Sequence, residues 1–321
     1  MKAEIENPEA NPIPTTGTAL IFGCGFLGRH LADRLLAAGV TVYGTTRSTG
    51  HAEQLAEAGI RPLLLEVTSS LTLAALNPAL EAEELDVYYL IPPGRAGREP
   101  TPRQVVIDGA NNVINALGDA RIRQAVMVSS TAVYGQSGGQ RVDADTPPEP
   151  VDDRGKLLLE GENVWLDSDL PARVLRLAGL YGPHRTISLD AVRDGSPIVG
   201  DPNVLLNLIH VDDAADLLLA VAGSTDAAKV ELGCDGSPVK RIEYYQYLAH
   251  RLGVPVPQVL DDQSAAEQLG LNVQRLRRLS SKACDPIATC ARTGWRPRYE
   301  SFREGLDDIL GPAPDTMQVQ D

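Results

Sequence analysis

Apolar runs of strand length recur at 18–23 (TALIFG), 40–46 (VTVYGTT), 62–67 (PLLLEV), 86–91 (DVYYLI) and 124–130 (QAVMVSS), and the stretches between them have helical spacing. Leu27, Leu31 and Leu35 recur every fourth residue and put one apolar stripe on the first predicted helix. The strand runs lack the apolar–polar alternation of a sheet with one wet face. They are therefore predicted to be buried on both sides, in a parallel sheet covered by helices, which makes the chain α/β with a doubly wound parallel sheet. From about residue 236 the pattern turns helical and loop-rich, with turn signals at Pro255 and Pro257. We expect a sheet-bearing domain over 17–235, with an excursion at about 181–205, and a smaller lobe over 236–310 that caps it. The ends, 1–16 and 311–321, are rich in proline and acidic or polar residues and are expected to be disordered.

At 321 residues and 43% apolar composition, the chain can bury a large core. Its formal charge of -14 and pI near 4.8 argue against nucleic acid or an anionic membrane as partner, since both need basic patches. A small molecule is the expected partner. The opening MKAEIENPEANPIPTT has no apolar stretch of signal-peptide length, and no later segment approaches the roughly 20 apolar residues of a membrane span. A cytoplasmic location is expected on those grounds. Cys24, Cys234, Cys284 and Cys290 are spaced too irregularly for a paired metal-ligand motif and are read as isolated thiols, with no metal site.

The strongest chemical motif is LIFGCGFLG, which sets Gly23, Gly25 and Gly28 as Gly-x-Gly-x-x-Gly where the first strand meets the first helix. Glycine is needed there for a tight turn, for close approach of backbone to a pyrophosphate, and for close packing of helix on strand. The amides of Cys24, Phe26 and Leu27 and the positive end of the helix then receive the phosphates. This is the cradle of a dinucleotide-binding Rossmann domain. An NAD site has an acid about 20 residues past the glycines to hold the ribose hydroxyls. Here GTTRS supplies Arg47, and no carboxylate lies between Thr41 and His51. A guanidinium suits a 2′-phosphate, with Thr45, Thr46 and Ser48 as further donors, so NADP is favoured over NAD. Glu66, ending the third apolar run, has two readings: a contact to the adenine or a solvated strand-end acid.

GCGFLGRHL, SSTAVYG, RLAGLYGP, LIHVDDAADLLL and GWRPRYESFREGL follow in the order and approximate spacing of the extended short-chain dehydrogenase/reductases, the NAD-dependent epimerase/dehydratase family, which the chain resembles from about residue 17 to 310. It is most similar to the atypical branch, because Phe22 stands where most extended members carry a first glycine. The resemblance implies a Ser or Thr that binds the substrate oxygen, a Tyr that moves the proton, and a Lys four residues later that tunes the Tyr and holds the nicotinamide ribose. Counted from SSTAVYG and DDRGKLLLE, the serine is Ser130 and the lysine Lys156, with Glu160 as the acid one turn later. The tyrosine position is then Asp152, and no tyrosine occurs between Tyr134 and Tyr181. An ordinary aspartate titrates near about 3.9 and is a poor proton donor at neutral pH, although it can act as a base.

Other residues compete for the missing role. Tyr134 and Tyr181 lie in loops that border the substrate in the family, and each is either a replacement phenol or a packing aromatic. His184 and Arg185 follow YGP and either bind a substrate anion or are solvated; Arg95 and Arg98 stand in the same position. Asp108 falls on the helix where the family carries an active-site Asn. His210, Asp212 and Asp213 read as structural, with one of the two acids capping the next helix. Two functions fit. One is an NAD(P)-dependent oxidoreductase or epimerase/dehydratase for a small polar substrate, sugar-nucleotide-like by the resemblance, with a degraded Ser-Tyr-Lys site. The other is an NADP(H)-binding sensor or scaffold that has lost turnover. The resemblance also implies a homodimer through a two-helix bundle, for which the sequence assigns no surface.

Overall fold

The computed structural model describes residues 17–94, 97–270 and 280–311; the two tails expected to be disordered (but for Gly311) and Arg95 lie outside them. Seven parallel strands form the central sheet: β1 (Thr18–Phe22), β2 (Thr41–Thr46), β3 (Arg61–Leu64), β4 (Leu85–Tyr89), β5 (Ile122–Ser130), β6 (Ala172–Leu177) and β7 (Val230–Gly233). Their spatial order is β7-β6-β5-β4-β1-β2-β3. The chain reverses its direction of travel between β1 and β4, so a crevice opens at the carboxyl ends of these two strands.

Alternation along each strand feeds two cores. Ala19 and Ile21 pack on one face with Leu27, Leu31 and Leu35 of helix α1 (Phe26–Ala37) and with helix α5 (Val211–Gly223). Leu20 and Phe22 pack on the other with Val113 and Leu117 of helix α3 (Gly109–Leu117) and Trp165 of helix α4 (Asp153–Leu166). Each side chain of this size that is fully buried contributes about 1.5–3 kcal/mol, which is why the central strands tolerate no polar face. A third core lies off the sheet: Tyr181, Val192, Ile198 and Leu208 meet Val239, Tyr244, Leu248, Phe302 and Leu306. The stretches 181–208, 239–249 and 302–306 thus share one apolar centre off the sheet.

Polar contacts lock α1 to α5. His30 Nδ1 lies 2.9 Å from Asp212 Oδ1, Arg34 Nη2 donates to the same oxygen at 3.0 Å, and Arg34 Nε pairs with Asp216. Asp212 and Asp213 do not cap α5, contrary to the sequence expectation. The cap is His210, whose Nδ1 accepts from Asp212 N at 3.3 Å; Asp213 turns inward and accepts from Arg298 N and Tyr299 N. Among the described residues, no helix is long and apolar enough to cross a membrane.

Candidate active site

The turn between β1 and α1 is pinned from behind. Gly23 N donates to Thr45 Oγ1 at 3.0 Å and Cys24 N to Thr45 O at 3.1 Å, so the Cys24 amide is committed inside the protein and does not receive a phosphate as expected, while Thr45 borders the smaller hollow described below. Gly23 has φ +79°, in the left-handed region, and a Cβ on Gly28 would stand 3.0 Å from Gly23 O and 3.2 Å from the Ile21 side chain. Gly25 differs: a Cβ there would meet nothing nearer than 4.0 Å, because that side of the turn faces the crevice. Gly25 is the N-cap of α1 and supplies no side-chain cap, which leaves the first amides of the helix to an incoming anion. Burial pushes the Cys24 thiol up to about 12, so it stays neutral beside them. These features fit a pyrophosphate held at the helix N-terminus.

Two connected hollows run from this turn, both lined by Gly23, Gly25, Ile91 and Pro92. The smaller, about 490 Å³, passes Cys24, Thr46, Arg47, His51, Glu66 and Arg98. Arg47 Nη1 donates to Glu66 Oε2 at 3.0 Å with its side chain 68% exposed, and Glu66 Oε1 also accepts from Thr68 N. The larger, about 760 Å³, extends past Phe26 and Leu27 over the ends of β4 and β5 to Ser130, Asp152, Arg154, Leu158, Arg185, Asn207 and Lys282. Ser129 and Ser130 part company here. Ser129 points inward and donates to Glu162 Oε1 at 2.5 Å, whereas Ser130 lines the cleft and its Oγ accepts from Ala132 N at 3.2 Å.

Lys156 does not line this cleft. Its side chain is 59% exposed and its Nζ lies 4.0 Å from Asp153 Oδ1, on the outer face of α4. The wall is made instead by Asp152, Arg154 and Leu158. Glu160, expected as the acid after the lysine, is also outward and pairs with Arg103. Glu162 is the inward acid, fully buried against Ser129 and Arg176. One turn and two turns before Glu162 stand Leu158 and Arg154, both on the wall of the cleft. The helical period carried this signal. Gly155, Leu158, Glu162 and Trp165 are buried at spacings of three and four, and of the two acids Glu160 and Glu162 only Glu162 lies on that face.

Neither replacement phenol reaches the cleft. Tyr134 is fully buried; its hydroxyl donates to Asp143 O at 2.8 Å and accepts from Arg176 Nη1 at 2.8 Å. Burial raises its pKa despite the guanidinium. Tyr181 is buried in the third core, edge-on to His210, and Gly305 is required opposite it because a Cβ there would come within 2.2 Å of its hydroxyl. Its pKa too is raised by burial. Asp152 borders the cleft but caps α4, its Oδ1 accepting from Gly155 N at 2.7 Å. His184 is exposed and outside the lining, as is Asp108; Arg185 is in the lining, over the Phe26 ring at 5.3 Å. Sequence reasoning missed Arg154, Leu158, Asn207 and Lys282.

The chain matches the NAD dependent epimerase/dehydratase family over residues 19–233. It is 27% identical over 270 residues to Protein YeeZ of Escherichia coli (strain K12), covering 79% of this chain and 94% of that protein. A 3-diazoavenalumate denitrifying reductase from a Streptomyces species is 24% identical over 294 residues, 88% of this chain and 96% of the other. The crystal structure of the Bordetella bronchiseptica enzyme WbmG in complex with NAD shares the fold, with a TM-score of 0.76 at 20% identity over 93% of this chain and 94% of that one. Cradle, strand order and family match agree: the chain belongs to the NAD dependent epimerase/dehydratase family, whose members are nicotinamide-dependent oxidoreductases and epimerases.

Proposed function

We propose that this protein is an NADP(H)-dependent reductase whose site works without a phenol–lysine proton relay. The observation that carries the reading is the inner face of α4, which offers Arg154 and Leu158 to the cleft where the family resemblance implies Tyr and Lys. An arginine holds its proton throughout the physiological range and serves as neither acid nor base. A leucine cannot hold a ribose hydroxyl.

Gly23, Gly25 and the first amides of α1 would hold the pyrophosphate, and Arg47 with Thr46 the 2′-phosphate; the bound nicotinamide supplies a hydride. Ser130 binds the acceptor oxygen, and Arg154 stabilises negative charge that develops on it. The direction of reaction follows from the proton. Oxidising a hydroxyl requires a base to take its proton, and Asp152, the carboxylate on the wall, has one oxygen committed to capping α4. Reduction needs only a proton delivered to an oxygen already bound by donors, which water can provide. Epimerases and dehydratases of the usual kind begin with the oxidative step, so this site favours net reduction. The Streptomyces relative is likewise named for a reduction.

The test is stoichiometry. Incubation of the pure protein with NADPH and a panel of aldehydes, ketones and sugar nucleotides should consume one NADPH for each acceptor reduced. Conversion of a sugar nucleotide with no net change in NADPH would overturn the reading in favour of epimerisation or dehydration. The second reading, a nucleotide sensor, is favoured by the same empty relay positions. It predicts that NADPH binds and is not consumed by any acceptor.

A further inference from the structure

We propose that Lys282 is a substrate-binding residue, and that the substrate is a small organic anion whose carboxylate or phosphate it holds beside Ser130. This inference rests on the reading of the larger cleft as the substrate site, and it names the chemistry of what enters.

Lys282 belongs to a segment that returns from the third core to the sheet. Residues Lys282–Cys284 pair in parallel with Gln140–Val142, in the excursion that follows β5. Asn207 clamps the segment on its backbone: its Nδ2 donates to Lys282 O at 2.9 Å and its Oδ1 accepts from Cys284 N at 2.7 Å. Ser281 Oγ accepts from Leu205 N, and Gly139 N donates to Ser281 O at 2.7 Å. Three separate stretches of chain, near 139, 205 and 282, are thereby laced together under the cleft. The lysine is held on a built wall and not on a mobile arm.

The residue is 5% exposed, yet it lines the cleft. Nζ donates to Ser280 Oγ at 2.7 Å, and Ser280 Oγ donates to Tyr134 O at 3.3 Å, so the serine's proton is committed and the ammonium is aimed by it.

The charge balance of the lining points the same way. Among the described residues, the cleft carries the cations Arg154, Arg185 and Lys282 against the single carboxylate Asp152, in a chain whose net charge is -14. Arg154 enters from α4, Lys282 from the strand Lys282–Cys284, and Ser130 from the end of β5, and all three line the one cleft. A cleft that collects cations in so acidic a protein is a receptor for an anion. Carboxylate and phosphate oxygens share the geometry that an ammonium and a guanidinium recognise.

The experiment is calorimetric titration of the NADPH-saturated protein with non-reducible probes. Succinate forms the carboxylate arm and glycerol phosphate the phosphate arm, with succinamide and glycerol as their neutral counterparts. The proposal predicts binding of at least one anion, no binding of its neutral counterpart, at least a tenfold loss of affinity in Lys282→Met, and retention to within about threefold in Lys282→Arg. Which arm binds distinguishes carboxylate from phosphate. Equal affinity in wild type and Lys282→Met, equal binding of the neutral counterparts, or binding of neither anion by protein that binds NADPH would overturn it. Failure to bind NADPH at all would instead defeat the reductase reading. Should Lys282→Met not fold, reductive methylation of wild type mapped by mass spectrometry decides: a bound anion should protect Lys282, and unchanged labelling contradicts the proposal.

Discussion

Arg176 closes on Glu162 in the interior of the sheet domain, with Nε 3.1 Å from both carboxylate oxygens and Nη2 2.6 Å from Oε2. The pair joins β6 to α4, and Arg176 Nη1 also donates to the Tyr134 hydroxyl. It sets which face of α4 turns to the cleft and at the same time commits a phenol that might otherwise have served there. Glu162 is fully buried and Arg176 is 4% exposed, so Glu162→Gln leaves a guanidinium without its counter-charge. Breaking such a pair should cost about 3–5 kcal/mol in urea unfolding, and a loss below about 1 kcal/mol would contradict its structural role.

The register of α4 has a consequence for restoring the relay. Arg154→Tyr combined with Leu158→Lys should raise NADPH-dependent carbonyl reduction by about tenfold or more, since a positioned proton donor contributes roughly 10²–10⁴-fold. Asp152→Tyr, which pairs a phenol with the outward-facing Lys156, should give no gain. Steady-state rates of the two variants distinguish the registers, and a gain confined to Asp152→Tyr would refute the one argued here.

Arg47 is bound only at its edge, by Glu66, and can reorient toward a phosphate. Arg47→Ala should weaken NADPH by about tenfold or more while changing NADH by less than about twofold, as expected for loss of charge-assisted hydrogen bonds to the 2′-phosphate. Fluorescence titration with both nucleotides measures this, and equal losses would remove the case for NADP.

Two carboxyls beneath the segment leading to the helix Phe302–Leu310 have their ionised form disfavoured by burial. It pushes Asp213 up to about 6 and Asp235 up to about 7, although Arg298 N and Tyr299 N donate to the first and Ser237 N to the second. A carboxyl whose folded value exceeds its unfolded one favours the fold most at low pH. The contribution is complete below about 3.8 and is lost as pH rises through about 6 and about 7. Each unit of separation is worth about 1.4 kcal/mol, so Asp235→Asn should flatten the decline in stability between about pH 4 and pH 7. Urea midpoints across that range provide the check, and parallel profiles for wild type and variant would contradict it.

How far the sequence could be read depended on which physical signal each residue carried. The strands and the glycine turn announced themselves through apolar period and backbone demand, and β1 runs over Thr18–Phe22 with the turn at Gly23 to Gly25. Counting within a motif points to Lys156 but does not say which face of the helix it occupies; Leu158 and Glu162 are buried, and Lys156 faces outward. Tyr134 and Tyr181 stood in the right loops, but a loop position says nothing about which way a ring turns, and both turned into the core. Lys282 was illegible for a different reason. It is brought to the cleft by pairing with residues near 141, a contact between stretches far apart in sequence that leaves no local pattern.

A reductase of the proposed kind requires α4 to present Arg154 and Leu158, and not Lys156, to the nicotinamide. A crystal structure of the NADPH complex tests this directly. It should show the nicotinamide in the larger cleft beside Ser130, with Arg154 within hydrogen-bond reach of the acceptor site and Lys156 in solvent. An ammonium of Lys156 bonded to the nicotinamide ribose would contradict it.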